Sequence, residues 1–215
     1  METVYLVRHP ATDWSGVRYA GRTDVPLNAE GRRRGAVVAS ELAARIGGRV
    51  GVVSSPLGRA REAARQIADA CRAPLSIDPR WREVDFGLAE GATFEELAAS
   101  RPALAERLLR GDRTVDWPGG ERWNELRARV ASAWSDLLDA PFDLGVVVSH
   151  GGPIAVALEL ALGEGDPAVG SIVEPGETLE LAVDGRCRLV RRRAPGAATA
   201  RGDASHWEAP WSPGS

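Results

Sequence analysis

Three short apolar runs, each rich in β-branched residues and each ending in polar side chains, constrain this chain more than any other feature. Thr3 to Val7 (TVYLV) leads into Arg8-His9-Pro10, Gly51 to Ser54 (GVVS) into Ser55, and Leu144 to Val148 (LGVVV) into Ser149-His150-Gly151-Gly152. Such runs read as strands buried on both faces. Segments of helical periodicity separate them. Asn28 is placed to cap a helix carrying Val37, Val38, Leu42 and Ile46 as far as Gly47-Gly48, and Ala60, Ala64, Ile67 and Cys71 recur at helical spacing. Strands joined through helices form a mostly parallel sheet by crossover connections, so the chain is predicted to be α/β.

The remaining elements follow the same logic. Leu75 to Ile77 is a short strand, and residues 81 to 92 form a loop rich in acids and glycine. Phe94 to Arg110 holds one or two short helices, with Pro102 suited to a first turn. Glu121 to Asp139 is amphipathic, with Trp123, Leu126, Val130, Trp134 and Leu137 on one face. Pro153 sits in the first turn of a helix running to Leu162, and Leu179 to Val183 with Arg186 to Val190 reads as a terminal hairpin about Asp184-Gly185. The expected division is one domain over 1–193 with a small helical cap near 84–120, then a flexible tail over 194–215.

Composition narrows the function classes. The net charge of −3 disfavours a general nucleic-acid binder. No apolar run has the ~20 residues of a membrane span, and Met1 to Arg8 reads as a strand rather than a signal peptide, so a cytoplasmic location is expected. Cys71 and Cys187 are too few for a disulfide framework and are expected to be buried thiols. All 27 basic residues are arginine, which excludes Schiff-base lysine chemistry and a Walker-type phosphate lysine.

Ligands of open α/β sheets bind beyond the carboxyl ends of the strands. If the three apolar strands are neighbours, Arg8, His9, Arg59 and His150 converge there as an electropositive pocket for a dianion. Arginine offers paired N–H donors that match phosphate oxygens. A neutral imidazole beside bound phosphate can attack phosphorus to give a phosphohistidine that water then cleaves. The leaving oxygen needs a proton, for which the acidic loop supplies Glu83 and Asp85; burial would raise either carboxyl's pKa. No H-E-x-x-H or paired-cysteine spacing is present, and arginines flanking the histidines would repel a cation, so no metal and no cofactor are expected. Arg32 to Arg34 and Arg191 to Arg193 read as solvated faces. Trp14, Tyr19 and Trp117 are candidates either for the substrate mouth or for plain packing.

The ordered set LVRHPATDW, YAGRTDVPLNAEG, SSPLGRARE, WREVDFGLAEG, PGGE and VVVSHGG resembles the histidine phosphatase superfamily, with its phosphoglycerate mutase-like fold. The resemblance implies a three-layer α/β/α architecture. It implies His9 as the phosphorylated nucleophile, Arg8, Arg59 and His150 as holders of the phosphoryl oxygens, and Glu83 as proton donor, since His150 is followed by Gly151 rather than by an acid. Ser15, Gly21, Arg22, Arg122 and Gly151 fall at or beside positions that contact substrate. Pro10, Ser15, Ala63 and Arg122 depart from the residues most common at their positions.

The function expected is metal-independent hydrolysis of a small phosphorylated metabolite, with motifs most like the small α-ribazole and broad-specificity phosphatase branches, and with homodimers common in the fold. Phosphoglycerate mutase-type transfer is the alternative, although the stretch between Glu83 and His150 is short for the large closing cap a mutase requires. A non-catalytic phosphate-binding protein and a phosphoprotein phosphatase complete the set. Should Arg22 and Arg122 both face the pocket, the preferred ester carries a second anionic group.

Overall fold

A computed structural model describes residues 1–194. The expected tail, with His206, Trp207 and Trp211, lies outside the described residues beyond Ala194. The chain runs β1 (Thr3–Arg8), α1 (Ala29–Ala43), β2 (Val50–Ser54), α2 (Gly58–Cys71), β3 (Leu75–Ile77), α3 (Phe94–Ser100), α4 (Pro102–Leu109), α5 (Trp123–Leu138), β4 (Leu144–Ser149), α6 (Gly151–Leu162), β5 (Thr178–Val183) and β6 (Cys187–Arg193). Short 3-10 turns at Pro79–Trp81 and Gly87–Ala89 shape the acidic loop.

One six-stranded sheet has the order β3-β2-β4-β1-β5-β6. The first four strands are parallel; β5 and β6 run antiparallel at the far edge, with a register shift between Glu180 and Leu181. The sheet is mixed and mostly parallel, as expected. Because side chains alternate along a strand, β1 sends Tyr5 and Val7 to a core beneath α1 and α2, and Val4 and Leu6 to a core beneath α5 and α6. Each of the four is 6% exposed or less. Helices on both faces make the three-layer α/β/α arrangement.

Local chemistry sets the boundaries. The Asn28 side chain accepts the Gly31 N–H and starts α1. That helix stops at Ala43, short of the expected Gly47, although hydrogen bonds onto Leu42 continue the turn to Ile46. Helix α5 begins at Trp123 rather than Glu121, because Arg122 is extended and the Trp123 N–H is taken by Asp116 Oδ1. Leu126, Val130, Trp134 and Leu137 are buried as the periodicity requires, whereas Trp123 is only partly covered. Cys71 and Cys187 are likewise half-buried rather than buried.

Register positions the site. Arg8 lies opposite Ser149 in the parallel pairing of β1 with β4, and Ser54 opposite Val148 in that of β2 with β4. Three neighbouring strands therefore end at one level, and the residues that follow them meet.

Candidate active site

His9 and His150 follow β1 and β4 and stand side by side, ring centroids 4.9 Å apart at 61°. Both are buried. The His9 backbone N–H continues the ladder to the Ser149 carbonyl. Its Nδ1 lies 2.7 Å from the Pro10 carbonyl oxygen. A carbonyl can only accept, so Nδ1 carries the hydrogen and Nε2 keeps its lone pair. Burial pushes the His9 pKa well below 6.5, and the charges of Arg8 and Arg59 push the same way. The ring is therefore neutral at pH 7 and of fixed tautomer.

His150 is built as its complement. Its Nε2 lies 2.7 Å from Ser55 Oγ, whose oxygen also accepts the Leu57 N–H. Burial lowers its pKa too, followed by His9, Arg59, Arg8 and Arg129. The serine hydroxyl can donate to Nε2, the arrangement in which the proton of a neutral ring sits on Nδ1. That nitrogen is buried and has no hydrogen-bond partner among the described residues.

Arg59, on α2, is 1% exposed and donates to the carbonyls of Thr23 (2.7 Å), Ala20 (2.8 Å) and Gly21 (3.1 Å). Arg8 donates to the Val173 carbonyl at 2.5 Å. The Nε atoms of both arginines are buried and, among the described residues, without a hydrogen-bond partner, as is His150 Nδ1. Burial lowers both guanidinium pKa values, opposed by Glu83 in each case, but arginine stays charged.

Glu83 completes the group. Its Oε1 accepts the N–H groups of Val84 (2.9 Å) and Gly152 (3.2 Å), the latter in the first turn of α6. Burial raises its pKa above 4.5 against the opposing pull of those two donors and of Arg8 and Arg59. Asp85, the other acid considered, pairs with Arg22 (3.1 Å) and accepts the Gly87 N–H. The two guanidinium groups thus stand beside a carboxyl whose uncharged form burial favours.

The residues singled out as substrate contacts are differently placed. Gly151 and Arg122 line a cavity of about 250 Å³ that also includes Arg8 and Gly152. Arg22 does not line it, so only one of the two arginines needed for a second anion site borders this space. Gly21 lies under Glu90 and gives its carbonyl to Arg59; a side chain there would collide with the Val84 carbonyl at 2.3 Å. The Ser15 hydroxyl accepts the Thr12 N–H at 2.9 Å and contacts Thr12 Oγ1, closing a turn. Among the described residues no group of three or more His, Cys, Asp or Glu converges as a metal cluster.

Three residues support the site without having been given a part in it from the sequence. The Glu90 carboxylate collects the N–H groups of Gly21, Arg22 and Thr23, and so shapes the loop whose carbonyls bind Arg59. Arg129 donates to the carbonyls of Arg80, Arg82 and Glu83 and pairs with Glu121, fixing the strand of chain that bears Glu83. Arg192, exposed as expected of a solvated face, also pairs with the buried Glu177 and donates to the Ile172 carbonyl beside Val173. Glu90 and Glu121 sit inside quoted motifs; Arg129 and Arg192 carry no local signal.

The model of the histidine phosphatase superfamily (branch 1) matches residues 4–190. The chain belongs to that superfamily. By membership it is an enzyme of the histidine phosphatase type. It is 36% identical over 165 residues to a probable phosphoglycerate mutase GpmB of Enterobacter sp. (strain 638), covering 76% of each chain. Among solved structures it resembles the mycobacterial glucosyl-3-phosphoglycerate phosphatase in complex with VO3 (26% identity, TM-score 0.78, 88% of this chain and 97% of that one). A putative alpha-ribazole-5'-P phosphatase from Escherichia coli shares the fold at 20% identity and a TM-score of 0.78, over 93% and 99% of the two chains.

The histidine phosphatase site makes opposite demands on its two adjacent glycines. A Cβ on Gly152 would meet Val84 Cγ2 at 2.5 Å and Glu83 Oε1 at 2.8 Å, whereas one on Gly151 would meet Arg8 at an ordinary 3.7 Å. Gly152→Ala is expected to cost about 1–3 kcal/mol through overpacking. Gly151→Ala is expected to change stability by under about 0.5 kcal/mol. Urea denaturation of the two variants measures both.

Proposed function

We propose that this chain hydrolyses phosphomonoesters of small metabolites, without a metal, through a phosphohistidine on His9 Nε2. The observation that carries the reading is the buried His9 imidazole, held in one tautomer by Pro10 and kept neutral by burial and by the charges of Arg8 and Arg59. The phosphoryl dianion binds Arg8, Arg59 and the Nδ1–H of His150. His9 Nε2 attacks phosphorus, the P–O ester bond breaks, and protonated Glu83 gives its proton to the departing alkoxide. Water then attacks the phosphohistidine, the Glu83 carboxylate takes up its proton, the P–N bond breaks, and inorganic phosphate leaves with His9 restored. The two guanidinium groups supply the charge stabilisation that a metal ion supplies elsewhere.

Phosphoglycerate mutase-type transfer is the second reading, favoured by the similarity to the probable mutase of Enterobacter. It differs in the fate of the phosphohistidine, which returns its phosphoryl group to the bound alcohol instead of to water.

Phosphate release from sugar phosphates, nucleoside monophosphates, α-ribazole phosphate, 3-phosphoglycerate and an aryl phosphate, assayed in EDTA, separates these readings. The expected result is release by the wild type and its loss in His9→Ala. Interconversion of 3- and 2-phosphoglycerate outrunning release from every ester would establish the mutase instead.

The pH profile of kcat/KM has a defined sign. Activity falls as pH drops through the lowered His9 value, because an imidazolium cannot attack. It also falls as pH rises through the raised Glu83 value, because a carboxylate cannot protonate the leaving group. Glu83→Gln is expected to abolish the alkaline limb and to slow alkyl esters by about 10²–10⁴. Aryl phosphates, whose leaving groups need less help, lose less. An alkaline limb that persists in the variant would remove Glu83 from the role of acid.

A further inference from the structure

The space beside the phosphate pocket has a different chemistry from the pocket itself. The 250 Å³ cavity shares Arg8, Gly151 and Gly152 with the phosphate site, but its walls are Phe86, Val115, Trp117, Trp123, Leu126 and Val173. Phe86 and Trp117 form one firm side, ring centroids 4.6 Å apart in a T-shaped contact that Tyr19 braces from 5.2 Å. Of the charged side chains on the lining, Arg113 and Glu121 are engaged elsewhere, Arg8 keeps its Nε for the phosphate, and Arg122 extends to solvent at the rim. Arg8 donates to Val173, Arg113 donates to the Gly170 and Ser171 carbonyls, and Glu121 pairs with Arg129. Arg122 has a side chain 73% exposed to solvent and only a 3.8 Å approach to Glu125.

These walls suit an apolar leaving group poorly matched by a polyol. Hydroxyls or a carboxylate lodged against Trp117, Val115 and Leu126 would lose water without gaining partners. The volume sets the size: a cavity of about 150 Å³ lined by Leu, Ile and Phe holds benzene, so this one has room for a body of two fused rings.

Resting on the hydrolase reading above, we infer that the preferred substrate is a phosphomonoester whose alcohol carries a planar apolar body, seated in the cavity walled by Phe86, Trp117 and Trp123. The phosphate is held by Arg8, Arg59 and His150, and the alcohol oxygen lies toward Glu83 beside Gly152. Water is the only co-reactant; the products are the free alcohol and inorganic phosphate.

The test compares esters whose alcohols are equally poor leaving groups: 2-(2-naphthyl)ethyl phosphate, ethyl phosphate and glycerol 3-phosphate. A single methylene in an apolar pocket is worth about tenfold or more, so kcat/KM for the naphthyl ester is expected to exceed that for ethyl phosphate by at least that factor. In Trp123→Ala the ratio should fall toward one. Equal values for the three esters, a preference for glycerol 3-phosphate, or a ratio unmoved in Trp123→Ala would overturn the inference. Should no ester release phosphate, the hydrolase reading fails separately. The cavity is then read by calorimetric binding of 2-(2-naphthyl)ethylphosphonate against ethylphosphonate, where tighter binding of the former supports the inference and equal binding overturns it.

Discussion

Two guanidinium groups beside two buried imidazoles, Arg59 buried and Arg8 partly so, organise two of the loops at this end of the sheet. Charges removed from water must be met by fixed dipoles or by opposite charges. Arg59 is met by three carbonyls of the 20–23 loop, and that loop is itself held by the Glu90 carboxylate across three backbone N–H groups. Arg8 is met by the Val173 carbonyl, in a segment tied down by Arg192 and the buried Glu177. The outer loops thus serve as second layers around two cations. Among the described residues these partners leave open the two Nε–H donors and the ring nitrogen Nδ1 of His150, positions suited to a phosphoryl group.

The same electrostatics separates the roles of the titratable groups. Burial acts in opposite directions on an acid and a base, lowering both imidazoles and raising Glu83. Burial thus favours the uncharged form of both the imidazole and the carboxyl. The backbone donors at Val84 and Gly152 orient the carboxyl, and Arg129 anchors its main chain through the Glu83 carbonyl. Steric freedom at Gly152 is what lets the carboxyl approach the start of α6.

Much of this was legible in the chain. Continuous apolar runs marked β1, β2 and β4 because strands covered on both faces cannot alternate, and the polar residues at their ends marked the site. The order of the strands was not legible, since periodicity carries no information about neighbours; the approach of His9 to His150 depends on β4 inserting between β1 and β2. Arg192 is exposed, as a run of arginines on an edge strand suggests, but its pairing with Glu177 was not legible because only the long-range return of the hairpin brings the two together. Trp123 belonged to an apolar stripe, yet it starts its helix at the border of a cavity and so remains partly uncovered. Ser15 matched a contact position by motif alone, while its short side chain is engaged locally with Thr12.

The account turns on His9 Nε2 carrying the phosphoryl group. Rapid quench of the wild type with a ³²P-labelled ester, followed by peptide mapping and assignment of the phosphorylated nitrogen, measures this directly. The predicted result is an acid-labile label on Nε2 of His9, formed and discharged at the rate of turnover and absent from His9→Ala. A label on another residue, on His9 Nδ1, or hydrolysis in a single turnover with no covalent label would contradict it.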